Sequence, residues 1–286
     1  MAAPDTDNRQ WPQRYHDLLA KAGLDRDAEL GVALKGAIKG ALQPQEPRQP
    51  ALMSLAQCLS EPERLTRQIR DDYADAQTAR AVTARLSVLQ QDLALNIIAP
   101  LTLRLFLQGE TPLPDPDRIF FTMLPTRTAF DAVDTPPTRW GMTSSGPPVS
   151  VPGFVSGMAA LANDWYPMFR KVLGISPGAY WSSIGLGLGA PFSVVWNRAE
   201  PTALCQLAQA WLKQFECDAN RFIDWIPTEF SKQPCAIPQR RGCCLKYLLP
   251  DGGYCGTCGI YRKDRIAAAR RQPVPSQAAG YWPAPE

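Results

Sequence analysis

Histidine is nearly missing from this 286-residue chain, which holds one, His16. A single imidazole excludes Rieske-type ligation of an iron-sulfur centre, which needs a histidine pair, and it makes a histidine-based triad a poor reading. His16 itself lies on an amphipathic N-terminal segment and reads as a surface residue. A strong charge of either sign is missing as well: 30 Lys and Arg against 27 Asp and Glu leave a formal net charge of +3. That balance, without a basic stripe interleaved with aromatics, speaks against a nucleic-acid partner. Long apolar runs are scarce. The longest, residues 93–107, is interrupted by Asn96, Pro100, Thr102 and Arg104, so no stable membrane insertion is expected. The polar start shows no apolar run behind a basic stretch, hence no secretory signal, and the expected location is the cytoplasm. In that reducing compartment clustered cysteines serve as metal ligands more often than as disulfides.

Cysteine is present in quantity, and its placement is uneven. Of eight cysteines, four fall close together near the end of the chain as Cys243-Cys244 and Cys255-Gly256-Thr257-Cys258. The ten residues between the two pairs carry apolar and aromatic side chains around a Pro250-Asp251-Gly252-Gly253 turn signal. A short hairpin is expected there, bringing the sulfurs together. Four thiolates make a closed zinc site, and a structural zinc is one reading. Zinc usually takes paired Cys-x-x-Cys knuckles, whereas side chains of adjacent residues such as Cys243 and Cys244 diverge. A [2Fe-2S] centre spreads its ligands over two irons and suits such a pair better, with zinc left as the alternative. Around the motif the basic residues Arg240, Arg241, Lys246, Arg262, Lys263 and Arg265 outnumber Asp251 and Asp264. They stand to offset the charge of a thiolate-bound cluster or to attract an acidic redox protein. Gly242, Gly256 and Gly259 stand to let backbone N–H groups approach the sulfurs. Cys58, Cys205 and Cys217 read as buried thiols, Cys235 lies near the motif, and Asp71, Asp72 and Asp75 read as a solvated helix face.

The fold class expected is α+β, predominantly helical, with a small antiparallel sheet and a C-terminal cysteine-rich loop or hairpin. Residues 12–43 suggest two helices broken near Gly23, and residues 61–98 one long helix with Ser60 as N-cap. Pro100 should kink or end that helix before a short apolar continuation. Residues 111–152, rich in proline and β-prone pieces, suggest the sheet; residues 157–173 and 202–215 return to helical spacing. Four regions follow: a helical extension at 1–55, a helical and mixed region at 56–235, the cysteine motif at 236–266, and a flexible tail at 267–286. Residues 184–190 spell a Gly-x-Gly-x-x-Ala pattern, but Pro191 follows at once and no acidic residue lies about twenty positions on. A tightly packed helix starting at Ser176-Pro177 is the preferred reading. Trp140, Trp165, Tyr166, Trp181 and Trp196, with Arg139, Arg170 and Arg198, are candidates for a pocket, though aromatics at helical spacing are more often core.

Arg240-Arg241-Gly242-Cys243-Cys244-Leu245 followed by Tyr254-Cys255-Gly256-Thr257-Cys258 resembles the carboxy-terminal signature of the FhuF-type ferric-siderophore reductases. A more diffuse resemblance extends over residues 55–265. It implies a [2Fe-2S] cluster ligated by Cys243, Cys244, Cys255 and Cys258, and reduction of siderophore-bound iron(III) inside the cell. A ferredoxin-like or other protein electron donor is the implied partner, since no nucleotide or flavin site is evident. An iron-sulfur carrier or redox sensor, and a helical interaction protein closed by structural zinc, are the alternatives.

Overall fold

The computed structural model describes residues 10–42, 51–122, 140–143, 146–250 and 252–261. Helix α1 (Trp11–Lys21) buries Trp11, Tyr15, Leu18 and Leu19 along one stripe and ends before Gly23, whose φ of +68° turns the chain. Helix α2 (Ala28–Leu42) is opened by Asp27, whose carboxylate accepts the Leu30 N–H at 2.8 Å and also pairs with Arg198. Both fall where the sequence places them. They are not a separate appendage: Trp11 packs edge-on against Trp211 at 5.2 Å, and the Tyr15 hydroxyl donates to the Pro191 carbonyl at 2.7 Å.

Strand β1 (Ala51–Ser54) precedes α3 (Leu55–Ser60), which a reciprocal Ser54–Gln57 capping box starts. The expected long helix at 61–98 is two helices, α4 (Pro62–Asp72) and α5 (Ala79–Leu93), because Tyr73 turns extended and Thr78 caps the second by accepting the Ala81 N–H. Ser60 is not the cap of α4; it closes α3, its hydroxyl donating to the Gln57 carbonyl. Nor does Pro100 end the helix. A π turn at Ala94–Ile98 joins α5 to α6 (Ala99–Gln108), and Pro100 falls in the first turn of α6, where a missing N–H costs little. The run 79–108 is long and apolar enough to cross a membrane by length and composition, and 72% of its apolar window is buried inside the protein.

Strands β2 (Glu110–Pro112), β3 (Ile119–Thr122), β4 (Trp140–Met142) and β5 (Pro148–Ser150) form two antiparallel ribbons, β1-β3-β4 and β2-β5. Helix α7 (Val151–Pro167) continues into a π turn at Met168–Val172. Helix α8 (Pro177–Leu188) begins as expected, Ser176 Oγ accepting the Ala179 N–H, and is buried on all sides from Ala179 to Leu188. It runs through the middle of the core, packed on α5, on the π turn after it and on the 3-10 turn Asp218–Arg221. Its glycines are there for that closeness: a Cβ at Gly187 would stand 2.7 Å from the Ala94 carbonyl oxygen. The apparent dinucleotide pattern is therefore helix packing. Helices α9 (Ala190–Val194) and α10 (Pro201–Leu212) lead to a third antiparallel pair, β6 (Ile223–Phe230) with β7 (Gln233–Arg240), in unbroken register from Ile223↔Arg240 to Phe230↔Gln233. The sequence reading missed this hairpin, and position 236, the boundary it expected, lies inside β7.

Candidate metal centre

Strand β7 delivers the motif. The Arg240 N–H donates to the Thr257 carbonyl at 3.1 Å, and Arg241 N–H to the Phe222 carbonyl at 2.9 Å, so the strand is tied both to the Cys-x-x-Cys knuckle and to the start of β6. Gln239, fully buried, aims its Nε2 at the carbonyls of Arg240, Thr257 and Cys258 at 3.1, 3.3 and 2.9 Å. Gly242 then passes so close to α8 that a Cβ would stand 2.0 Å from the Gly178 carbonyl carbon, and one at Gly259 2.6 Å from the Gly242 oxygen. These two glycines serve backbone packing rather than N–H approach to sulfur.

The connection between the cysteine pairs is not a β-hairpin. Leu245 adopts φ +62°, a left-handed conformation uncommon outside glycine, and a 3-10 turn at Lys246–Leu248 follows. Pro250 has no N–H to give a strand ladder, and the loop is closed instead by the stacked rings of Tyr247 and Tyr254, 5.3 Å apart at 13°. The consequence expected from a hairpin is nevertheless reached. Cys243 interacts side chain to side chain with Cys244 and with Cys258, Cys244 with Cys255, and Cys258 also feels the charges of Cys244 and Cys255, so the four sulfurs are drawn together. Cys244 and Cys258 are buried, Cys243 and Cys255 half-buried. Among the described residues no group of three or more His, Cys, Asp or Glu is arranged to hold one metal ion.

Electrostatics distinguish the thiols. A hydrogen bond from Cys244 holds Cys243 below the usual thiol range, with the Leu245 N–H at 3.4 Å and Arg240 acting in the same direction. Cys255 is pushed up, first by its hydrogen bond to Cys244 and then by burial, and burial raises Cys258 against an Ile260 N–H bond that lowers it. Thiolates crowded together in this way require positive charge among them, which a bound metal supplies. The donor set, the two N–H groups on sulfur and a nearby buried arginine all fit an iron-sulfur core.

Two basic residues are not where a solvated knuckle would put them. Arg240 is fully buried, its guanidinium bonded to Ser182, Ser183, Gln91 and the Ala179 carbonyl. Arg241 is exposed but forms a bidentate pair with Asp224 at 2.5 and 3.0 Å. Arg262, Lys263 and Arg265 lie outside the described residues, as does Arg139. The remaining cysteines are inert by position. Burial pushes Cys58 up to about 12 and Cys217 to about 11, raises Cys205 further, and leaves Cys235 within the patch of Trp196 and Ile237. Cys217 is half-buried rather than buried. Asp75 is not simply solvated, since it pairs with Arg85 at 2.6 Å. Trp140, Trp165, Trp181 and Trp196 are core residues, and Arg198 is committed to Asp27, while Arg170 is exposed.

The centre so built is that of a redox iron-sulfur protein. Residues 240–258 match the FhuF 2Fe-2S C-terminal domain, and this segment is a [2Fe-2S]-binding domain with Cys243, Cys244, Cys255 and Cys258 in its span. The comparison carries the broader resemblance over 55–265 only at those residues. No curated protein and no solved structure matches the chain. Gln239 and Arg240 are the residues that sequence reasoning missed or misplaced; the first stands one position before the matched segment, where only its neighbourhood would have drawn notice.

Proposed function

We propose that this chain is a ferric-siderophore reductase acting in the cytoplasm, in which Cys243, Cys244, Cys255 and Cys258 hold the cluster that passes an electron to siderophore-bound iron(III). The match of residues 240–258 to the FhuF 2Fe-2S C-terminal domain carries this reading. When bound, a [2Fe-2S] cluster supplies one electron per cycle. Cys243 and Cys255, the half-buried pair, offer the route outward, while Cys244 and Cys258 face the protein. The N–H groups of Leu245 and Ile260 on sulfur favour the state with added negative charge. A siderophore binds iron(III) through hard oxygen donors that hold iron(II) weakly, so one electron opens the complex. The helical region at 56–235 is the part assigned to the siderophore, because holding a cluster needs far fewer residues. The electron donor is a separate protein; the buried Arg240 and the Asp224-paired Arg241 contribute little to its docking.

Dithionite-reduced full-length protein, mixed anaerobically with iron(III) siderophores of the catecholate, hydroxamate and carboxylate classes and an iron(II) trap, tests the reading. The expected result is reoxidation by one electron per iron(III), with a rate that saturates for one class. A rate rising linearly for every acceptor, ferricyanide included, assigns a simple carrier instead.

A further inference from the structure

Among the described residues Arg240 is the one fully buried cation, and its side-chain hydrogen-bond partners are neutral. Its Nε donates to Ser182 Oγ at 2.8 Å, Nη1 to Gln91 Oε1 at 2.6 Å, and Nη2 to Ser183 Oγ at 2.9 Å and the Ala179 carbonyl at 3.1 Å. The hydroxyls are aligned for the task. Ser182 Oγ donates to the Gly178 carbonyl at 2.5 Å and Ser183 Oγ to the Ala179 carbonyl at 2.8 Å, which leaves their lone pairs to the guanidinium. Hydrogen bonding is satisfied; charge is not. Among the described residues no ion pair includes Arg240, although its side chain is fully buried.

An uncompensated buried cation is costly. The guanidinium lies along the flank of α8, held by the Ala179 carbonyl and by the Ser182 and Ser183 hydroxyls one turn further on, none of which carries a charge. Only a nearby anion makes such a placement reasonable. The backbone of Arg240 is bonded to the Cys-x-x-Cys knuckle, Cys243 follows it by three positions, and the Arg240 charge acts on both Cys243 and Cys255, so a thiolate-bound cluster is the anion within its reach. An oxidised four-thiolate [2Fe-2S] centre carries about −2 and the reduced one about −3. We propose that Arg240 is the internal counter-cation of the iron-sulfur centre: a positioning residue, held by Ser182, Ser183 and Gln91, that touches no iron yet sets the reduction potential by favouring the more negative state.

The proposal rests on the cluster but not on the siderophore, so it is tested without substrate. Redox titration of the reconstituted full-length protein compares wild type with Arg240→Gln and Arg240→Lys. Loss of the charge in Arg240→Gln should lower the reduced-to-oxidised ratio at a fixed ambient potential by tenfold or more, which is about 59 mV for a one-electron couple. Arg240→Lys, which keeps the charge and loses most of the hydrogen bonds, should stay within threefold of wild type. Equal potentials in wild type and Arg240→Gln overturn the proposal, as does an Arg240→Lys shift as large as that of Arg240→Gln. Thermal unfolding of the cluster-free forms keeps the test decisive if Arg240→Gln fails to load. A cluster-free Arg240→Gln at least as stable as cluster-free wild type supports a charge kept for the cluster, and a less stable one assigns Arg240 to the fold alone.

Discussion

Burial pushes the carboxyl of Asp92, on α5 one residue from Gln91, up to about 6, against the opposing pull of Lys246 on the cluster loop. A carboxyl whose folded value stands above its ordinary 3.8 binds its proton more tightly in the folded state, so stability falls as pH rises between those values and the penalty is complete above about 6. Asp92→Asn should therefore stabilise cluster-free protein by about 2 kcal/mol at pH 8 and by almost nothing near pH 4, measured as a shift in the denaturant midpoint. An equal gain at both pH values would point to packing rather than charge. A Ser replacement at Cys243, Cys244, Cys255 or Cys258 should abolish or strongly alter the visible absorption and the bound iron and sulfide, while Cys58→Ser, Cys205→Ser and Cys217→Ser should leave the spectrum nearly intact. Colourless wild-type protein with one zinc per chain would sink this second expectation. At this scale the cluster-binding segment was legible because thiols at close spacing have few other uses. The fate of Arg240 and Arg241 was not, since nothing in a run of basic residues says which side chain points inward to Ser182 and which outward to Asp224.

Helices with an apolar stripe, such as α1 and α2, and a helix start with an ordinary cap, Ser176 before α8, were readable. The misreadings share a cause: a local signal that tertiary packing overrode. Pro100 carries a helix-breaking signal, yet the π turn before it absorbs the missing donor and the run continues. Strands β6 and β7 carry Pro227, Pro234 and Pro238, which argue against a sheet interior but are tolerated where a two-stranded ribbon leaves each strand an outer edge. Their turn was hidden too. Ser231 and Lys232 have φ of +49° and +63°, the two positive values that a tight hairpin turn demands, without the Asn-Gly that usually announces one. Replacing Ser231 and Lys232 by Asn-Gly should relieve that strain and stabilise the protein by about 1 kcal/mol in denaturant titration, with no change in the cluster spectrum. A loss of stability would mean that this turn is not held as described.

At the scale of the whole molecule, the cysteine motif is seated on the body rather than appended to it. Gly242 lies against Gly178 at the start of α8, Gly259 lies against Gly242, Gln239 holds the Cys258 carbonyl, and Arg240 reaches through to α8 and α5. A region drawn from residue 236 onward would cut β7 away from its partner β6 and the motif away from the helix it rests on. Cluster binding and global folding should then be coupled: what binds only the folded state adds its binding energy to stability. The junction is testable through Gly242→Val, whose side chain would start 2.0 Å from the Gly178 carbonyl carbon, with backbone on both sides and no flexible neighbour to yield. Separation of β7 from α8 is expected, with a loss of about 3 kcal/mol in the cluster-free protein and failure to retain iron and sulfide on desalting. Gly253→Ala is the matched control, since that glycine lies on the same loop with open space around its Cβ position but a φ of +60°. It should cost about 1 kcal/mol from backbone strain and leave the cluster in place. If Gly242→Val instead binds its cluster and unfolds like wild type, the motif folds independently of α8, and the coupling between centre and body is lost with it.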